Sequence, residues 1–133
     1  MATSEDPSEV WYDANCHCAA IKYKVKLPPL HSQEITSCNC SICCKNGYLN
    51  VRPNRKDIVF VEGKNLIKDY QFGKKQYNHK FCPLCGSSLL VEPLAEDKEW
   101  MAVNVRMIKD IELDKLKYWY FDGRTKLDPP YEG

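Results

Sequence analysis

Alternating apolar and polar positions predict that this chain folds mainly as β-strands. The clearest case is residues 21–27, Ile-Lys-Tyr-Lys-Val-Lys-Leu, in which every second side chain is apolar and the others are lysine. A period of two is typical of a strand with one buried face and one solvated face. Pro28 and Pro29 follow at once and end the segment.

Further segments of strand length follow at short intervals. The predicted strands are residues 31–37, 48–51, 58–61, 66–72, 77–81, 88–92 and 100–107. We expect residues 58–61, a continuous apolar run, and residues 66–72 to pair as antiparallel neighbours. Helix is expected only as a turn or two near residues 113–117. The sequence thus predicts a mainly β fold of many short strands with little helix.

The length of 133 residues is that of one domain. Residues 1–10 are polar and acidic and offer little to bury, so we expect a flexible leader. Residues 11–133 are then a single domain, whose packed part begins at Trp11.

The charge distribution argues against nucleic acid as a partner. The formal net charge is +1, and no basic run is denser than Lys74-Lys75. Such a chain lacks the long-range field of a nucleic-acid-binding protein. No run approaches the roughly 18 apolar residues of a membrane span, so we expect no membrane partner either. The sequence gives no indication of the oligomeric state.

Eight cysteines indicate metal binding rather than disulfides. The first residues contain no apolar segment of a secretory signal, so we expect a cytoplasmic protein, with a nuclear location as the alternative. The cysteines lie in Cys-x-Cys and Cys-x-x-Cys spacings, which close loops too short for useful crosslinks. In a reducing compartment such spacings are typical of zinc ligands.

The first and third cysteine clusters favour one closed zinc site. Cys82 and Cys85 form a Cys-x-x-Cys turn followed by Gly86, which permits the positive φ that such a turn often needs. Cys16 and Cys18, one residue apart, point to the same side of an extended chain. Together they make a four-thiolate set, although spacing alone leaves other pairings of the clusters open.

The second cluster then has three ligands and an open position. Cys38, Cys40 and Cys43 lie within six residues, and Cys44 follows directly. Adjacent side chains such as those of Cys43 and Cys44 diverge, so we interpret Cys44 as a bystander packed in the core, with a fourth ligand as the alternative. Three protein ligands with a vacant fourth position are typical of a reactive zinc site.

The ligand type points to sulfur chemistry. Three thiolates over-neutralise Zn²⁺, so the site should be poor at generating hydroxide and better suited to a fourth sulfur. This favours a thiol or thioether substrate over hydrolysis. Lys45, Arg52 or Arg106 could bind the carboxylates of such a substrate, but solvated surface charge is the favoured interpretation of each.

The histidines carry less information. His79 shares a strand parity with Phe81 and could line the open zinc or donate a hydrogen bond to a thiolate, but a satisfied structural role is favoured. His17 lies between two ligands and should face away from their metal. His31 gives no signal.

These clusters resemble those of the glutathione-dependent formaldehyde-activating (GFA) enzyme and centromere protein V family. The resemblance rests on residues 16–18, 38–43 and 81–86, with Val103-Asn104-Val105-Arg106 and Phe121-Asp122-Gly123 as closing segments. It covers roughly residues 11 to 125. The chain departs from the family at Ala19, where glycine is usual, and at Cys44, where a basic or polar residue is common.

The resemblance implies a fold, two metals and an activity. The fold would be a β-tent-type single domain. A structural zinc would be held by Cys16, Cys18, Cys82 and Cys85, and a catalytic zinc by Cys38, Cys40 and Cys43. The family's activity is the condensation of formaldehyde with glutathione to S-(hydroxymethyl)glutathione, classed as a carbon–sulfur lyase reaction.

Two other functions remain to be compared with this enzyme. The first is a non-enzymatic zinc-stabilised binding module of the centromere protein V type, in which Cys44 or a partner's residue would close the second site. The second is a nucleic-acid zinc ribbon, which the near-neutral charge disfavours.

Overall fold

The computed structural model describes residues 9–127 and Tyr131. Its strands are β1 (Val10–Asn15), β2 (Lys22–Leu27), β3 (Glu34–Cys38), β4 (Asn50–Val51), β5 (Ile58–Glu62), β6 (Lys68–Tyr70), β7 (Tyr77–Phe81), β8 (Ser88–Pro93), β9 (Ala102–Asn104) and β10 (Lys117–Phe121). Its α-helices are α1 (Ser41–Asn46) and α2 (Gly123–Lys126). Short 3₁₀ turns occupy residues 30–32, 55–57, 64–66, 105–107 and 113–115. The predicted mainly β fold with little helix is confirmed.

The described strands form two sheets. The smaller sheet has the order β1-β2-β5, and the larger has the order β10-β3-β4-β9-β8-β7-β6. Pairing is antiparallel throughout except between β10 and β3, which are parallel. Parallel strands need a long connection, and here most of the chain separates the two.

The lysine alternation places one face of β2 in the core. Tyr23, Val25 and Leu27 are at most 2% exposed, whereas Lys22 and Lys24 on the opposite face are exposed. The same core cluster includes Leu89 and other residues of the larger sheet. The two sheets therefore share one hydrophobic core.

Several details differ from the predicted elements. Residues 66–72 do not pair with β5: the strand there is β6, and it pairs with β7 in the other sheet. Helix α1 was not predicted, and near residue 113 only a 3₁₀ turn forms. Strands β1 and β10 were also not predicted. Of the predicted leader, residues 1–8 lie outside the described residues, and β1 begins at Val10.

Among the described residues, no helix has both the length and the apolar character needed to cross a membrane.

Candidate metal centres

Four cysteines from the first and third clusters meet at one point. Cys16 and Cys18 lie in the turn between β1 and β2, and Cys82 and Cys85 lie in the turn between β7 and β8. Their four sulfur atoms all lie within 4.8 Å of one another. The Sγ–Sγ distances are 3.6 Å for Cys16–Cys18 and 3.8 Å for Cys18–Cys82. A tetrahedral zinc with Zn–S bonds of about 2.3 Å requires separations of about 3.8 Å, so this group fits a metal ion.

Backbone hydrogen bonds fix the turn that carries Cys82 and Cys85. The Cys82 amide donates to the Ser87 carbonyl at 3.0 Å, and the Gly86 amide donates to the Cys82 carbonyl at 2.7 Å. Gly86 has a φ of 80°, the left-handed conformation that glycine adopts without strain. The His17 amide donates to the Ser87 hydroxyl at 3.0 Å, which joins this turn to the first cluster.

The first cluster carries a strained residue. Ala19 has a φ of 66°, which is unusual for any residue with a Cβ atom. Its amide donates to the Cys16 carbonyl at 2.9 Å and so holds the turn of the first cluster. The backbone at this position therefore accounts physically for the glycine that the resembling family usually has there.

The second group contains three cysteines. Cys38 ends β3, Cys40 is the N-cap of α1, and Cys43 lies in its first turn. Their sulfur atoms also lie within 4.8 Å of one another, so this group could hold a metal ion as well. We call it the triad. The Cys40 amide donates to the Cys38 sulfur at 3.4 Å, and this contact orients the sulfur.

The three triad thiols cannot all ionise without a nearby cation. Hydrogen bonding with the Cys43 thiol lowers the pKa of Cys40 to about 5. The same contact raises the pKa of Cys43, and burial raises that of Cys38. Like charges at this separation oppose one another, so ionisation of one triad thiol disfavours ionisation of the other two. A bound cation would remove that constraint.

Cys44 does not join the triad. Its thiol is exposed, which corrects the expectation that it packs in the core. Its sulfur donates to the Asn39 carbonyl at 3.3 Å and lies 3.9 Å from Nη2 of Arg124. No carboxylate, histidine or fourth cysteine of the described residues joins the three sulfur atoms.

The segment after β10 closes over the triad. Asn39 holds it: its Nδ2 donates to the Asp122 carboxylate at 3.0 Å, and its Oδ1 accepts from the Arg124 amide at 2.8 Å. Gly123, the first residue of α2, is buried against the cysteines. A Cβ atom there would lie 2.5 Å from Cys38 Sγ, so a side chain at this position would require the sulfur to move. The sequence indicated Gly123 only as part of a resembling segment and gave no reason for it.

A cavity of about 430 Å³ opens beside the triad, and we call it the triad cavity. It is lined by Ser37, Cys38, Asn39, Cys43, Cys44, Gly47, Tyr48, Leu49, Arg106, Tyr120, Phe121 and Asp122. Nε of Arg106 donates to the Gly47 carbonyl at 2.8 Å, which fixes this guanidinium at the C-terminal end of α1. Of the three cations considered from the sequence, Arg106 alone lines this cavity, because Lys45 lines another and Arg52 stacks on Trp100 at 4.3 Å.

A second cavity of about 390 Å³ lies on the other side of Tyr48, and we call it the aromatic cavity. It is lined by Ser41, Ile42, Lys45, Asn46, Tyr48, Tyr70, Phe72, His79, Phe81, Gly86, Ser88 and Tyr131. His79 is 8% exposed, and burial lowers its pKa to about 4, so its imidazole is neutral at pH 7. Its Nδ1 lies 3.3 Å from the Tyr48 hydroxyl.

The histidines thus lie apart from the sulfur groups. His79 lines the aromatic cavity and not the triad cavity, and it belongs to neither cysteine group. His17 and His31 are exposed and also belong to neither group.

Comparison with known proteins agrees with this geometry. The sequence model of the family described as glutathione-dependent formaldehyde-activating enzyme (GFA) matches residues 11–120, a range that contains both cysteine groups. The crystal structure of a Rhodobacter sphaeroides protein is similar, with a TM-score of 0.70 and 25% sequence identity. That match covers 82% of this chain and 98% of the other. The resemblance expected from the cysteine clusters is confirmed, and the chain belongs to the GFA family.

Proposed function

We propose that this chain is a zinc-dependent carbon–sulfur lyase. It would join a thiol such as glutathione to a carbonyl carbon, and in the reverse reaction it would release the thiol from that carbon. The observation that carries the proposal is the triad, three clustered sulfur atoms beside a cavity of about 430 Å³. Structural zinc sites have four protein ligands, whereas reactive ones keep a position for substrate. Membership of the GFA family supports the same chemistry.

The donor atoms support zinc at both cysteine groups. Cys16, Cys18, Cys82 and Cys85 would hold a structural zinc, and Cys38, Cys40 and Cys43 would hold the catalytic one. Thiolate sulfur is the soft ligand that zinc accepts readily, and the measured sulfur separations suit a tetrahedron. At the triad, zinc would supply a soft Lewis acid that favours binding of a substrate thiol as its thiolate.

The reaction changes few bonds. The substrate sulfur forms a bond to the carbonyl carbon, and the electron pair of the C=O π bond moves to oxygen. The proton lost from sulfur ends on that oxygen, so no oxidant, reductant or water is consumed. With formaldehyde and glutathione the product would be S-(hydroxymethyl)glutathione. A three-thiolate site is poorly suited to making hydroxide, which fits a reaction that needs none.

Charged groups at the triad cavity suit the ends of a peptide thiol such as glutathione, which carries carboxylates and one ammonium. Arg106 lines the cavity and offers a guanidinium to a carboxylate. Asp122 offers a carboxylate to the ammonium, since hydrogen bonds from Thr125 and Asn39 lower the pKa of Asp122 and keep it ionised. The rings of Tyr48 and Phe121 provide apolar wall in the same cavity.

The alternative of a non-enzymatic binding module needs a fourth ligand for the triad. Cys44 is poorly placed for that role, because its thiol is bound to the Asn39 carbonyl and lies outside the sulfur group. A partner's residue could fill the position only by entering the triad cavity. The lyase needs neither, and we therefore prefer it.

Zinc content and thiol binding test the proposal together. We expect two zinc ions in the unaltered chain, one for each cysteine group, and one in Cys40→Ser. That variant should stay folded and lose glutathione binding, measured by calorimetry. Cys44→Ser is the matched control and should keep both zinc ions. A single zinc in the unaltered chain, or loss of a zinc from Cys44→Ser, would contradict the open three-cysteine site.

A further inference from the structure

The aromatic cavity is not needed to hold either metal, and its size exceeds what formaldehyde requires. Formaldehyde has two heavy atoms, about the size of one water molecule, whereas cavities of 300–1,000 Å³ typically hold ligands of roughly 10 to 30 heavy atoms. The aromatic cavity measures about 390 Å³ and is therefore large enough for a substituted ring.

Flat aromatic side chains form its walls. The Phe72 ring lies 5.3 Å from the His79 ring and 5.8 Å from the Tyr70 ring, centroid to centroid. Separations of 4.5–7 Å are those at which aromatic rings attract one another, so another ring inserted here gains the same contacts. Burial keeps His79 neutral at pH 7, so it adds no charge to this surface.

The cavity lies against helix α1, which contains Cys43 and has Cys40 as its N-cap. Ser41 and Ile42 line it and stand in the chain between Cys40 and Cys43. Tyr48 lines both this cavity and the triad cavity, so the two cavities adjoin at this side chain. A molecule that fills the aromatic cavity therefore lies next to the site of the proposed reaction.

Lys45 is the one charged side chain among the described residues that line this cavity. An ammonium beside an aromatic surface complements a molecule with a ring and one negative group. The neutral partner of such a molecule would lack that ion pair, and a small anion without a ring would lack the stacking. A ligand therefore needs both the ring and the negative group to contact the aromatic side chains and Lys45 together.

Building on the proposed lyase function, we propose that the aromatic cavity holds the ring of the carbonyl substrate, and that this substrate is an aromatic aldehyde bearing a carboxylate. The thiol sulfur adds to the aldehyde carbon and the proton from sulfur ends on the aldehyde oxygen, as in the reaction above. The product is the hemithioacetal of an aryl aldehyde.

Binding measurements on the zinc-loaded protein test this proposal without relying on turnover. The probes are benzoate, acetate and benzyl alcohol, and the binding of each is measured by calorimetry. We expect benzoate to bind roughly tenfold or more tightly than either of the others, because only benzoate has both the ring and the charge. Equal binding of benzoate and acetate, or no binding of benzoate, would overturn the assignment.

Variants locate the bound ring. Phe72→Ala should weaken the binding of benzoate roughly tenfold. Lys45→Gln should weaken the binding of benzoate and leave the binding of benzyl alcohol unchanged. Tyr77→Ala and Lys117→Gln are the matched controls, since both side chains are exposed and line neither cavity. Unchanged binding in Phe72→Ala would contradict the proposal.

The same experiment separates this proposal from the function on which it rests. Cys40→Ser should lose thiol binding but keep benzoate binding, because residue 40 does not line the aromatic cavity. If the unaltered protein binds benzoate but adds glutathione to no aldehyde, the lyase proposal fails and the cavity assignment stands. If it adds glutathione to formaldehyde and never binds benzoate, the cavity assignment alone fails.

Discussion

Gly123 shows how one missing side chain shapes the candidate active site. Its backbone packs on the triad so closely that a Cβ atom would lie 2.5 Å from Cys38 Sγ and 3.2 Å from Cys40 Cβ. Contacts under about 3 Å are repulsive, and the sulfur is the atom able to move. We expect Gly123→Ala to displace Cys38 from the triad and to lower zinc content from two ions towards one, measured by metal analysis of the folded protein.

The control for this change is Gly73→Ala. Gly73 also adopts a positive φ, of 60°, but a Cβ there would meet nothing within 4 Å. It should lose a little stability and no zinc. Full zinc content in Gly123→Ala would show that the triad tolerates displacement of Cys38, against our expectation.

His79 should make the folded state sensitive to mild acid. Burial lowers its pKa to about 4, whereas the unfolded chain has the ordinary value of about 6.5. The unfolded state therefore binds more protons between these values, and the free energy of unfolding falls as the pH drops from 6.5 towards 4. At pH 5 the loss from this group is at most about 2 kcal/mol.

Comparison with His79→Gln isolates that contribution. Other groups also take up protons in acid, so the unaltered chain alone would not identify the histidine. Glutamine retains a polar group near the Tyr48 hydroxyl but does not titrate. Denaturant unfolding at pH 7 and pH 5 should show a smaller loss of stability in the variant, and equal losses in both proteins would count against the assignment.

At this scale the sequence located the clustered cysteines better than their surroundings. The Cys-x-Cys and Cys-x-x-Cys spacings favoured a four-cysteine group but left other pairings open, and the family resemblance implied the two groups that the structure brings together. Gly123, Asn39 and Tyr48 could not be placed beside the triad in the same way. Their roles depend on contacts across the fold, which no local spacing encodes.

Among the elements, β9 and the turn after it join the pieces around the triad. Asn104 ends β9 and is 1% exposed. Its Oδ1 accepts from the Leu49 and Arg106 amides at 3.3 and 3.2 Å, and its Nδ2 donates to the Ser88 carbonyl at 3.0 Å. Asn104 thereby holds the loop after α1, the start of β8 and the turn that carries Arg106.

Removing that side chain should leave buried polar groups without partners. We expect Asn104→Ala to cost about 2–3 kcal/mol of unfolding free energy, because buried unsatisfied groups are costly. Asn50→Ala is a matched control, since Asn50 pairs with Asn104 across the sheet and its buried Oδ1 has no partner among the described residues. It should cost less than about 1 kcal/mol, and equal losses in urea unfolding would refute this account.

The missed elements have physical reasons. Helix α1 spans only six residues and contains two cysteines, so it offers no apolar periodicity to recognise. It forms because Cys40 and Cys43 are held with Cys38 and because Gly47, with a φ of 65°, ends it. The pairing of β6 was also misjudged, since the turn at Gly63 suggests a hairpin while the chain instead crosses to the other sheet. Strand partners depend on the whole fold.

For the whole molecule, the two cysteine groups should contribute differently to stability. The four-cysteine group joins the β1–β2 turn to the β7–β8 turn, and Cys18 and Cys82 are 64 positions apart in the sequence. By loop-closure entropy, a link of this length restricts the unfolded chain by about 4 kcal/mol, and a link across the six residues of the triad by about half as much. Buried Cys16 and Cys82 also belong to the main hydrophobic core, whereas no triad cysteine does.

We therefore expect Cys82→Ser to unfold the protein and Cys40→Ser to leave it folded. Loss of a structural zinc removes roughly 10 kcal/mol or more of apparent binding energy, which matches or exceeds the total stability of about 5–15 kcal/mol for a small domain. Thermal unfolding followed by circular dichroism should show no cooperative transition for Cys82→Ser and a transition lowered by several degrees for Cys40→Ser. A titration with chelator should release the triad metal first, with thiol binding lost before the fold. If both variants melt alike, or chelation unfolds the chain as soon as the first metal leaves, then the triad is as structural as its neighbour and a reactive site there becomes untenable.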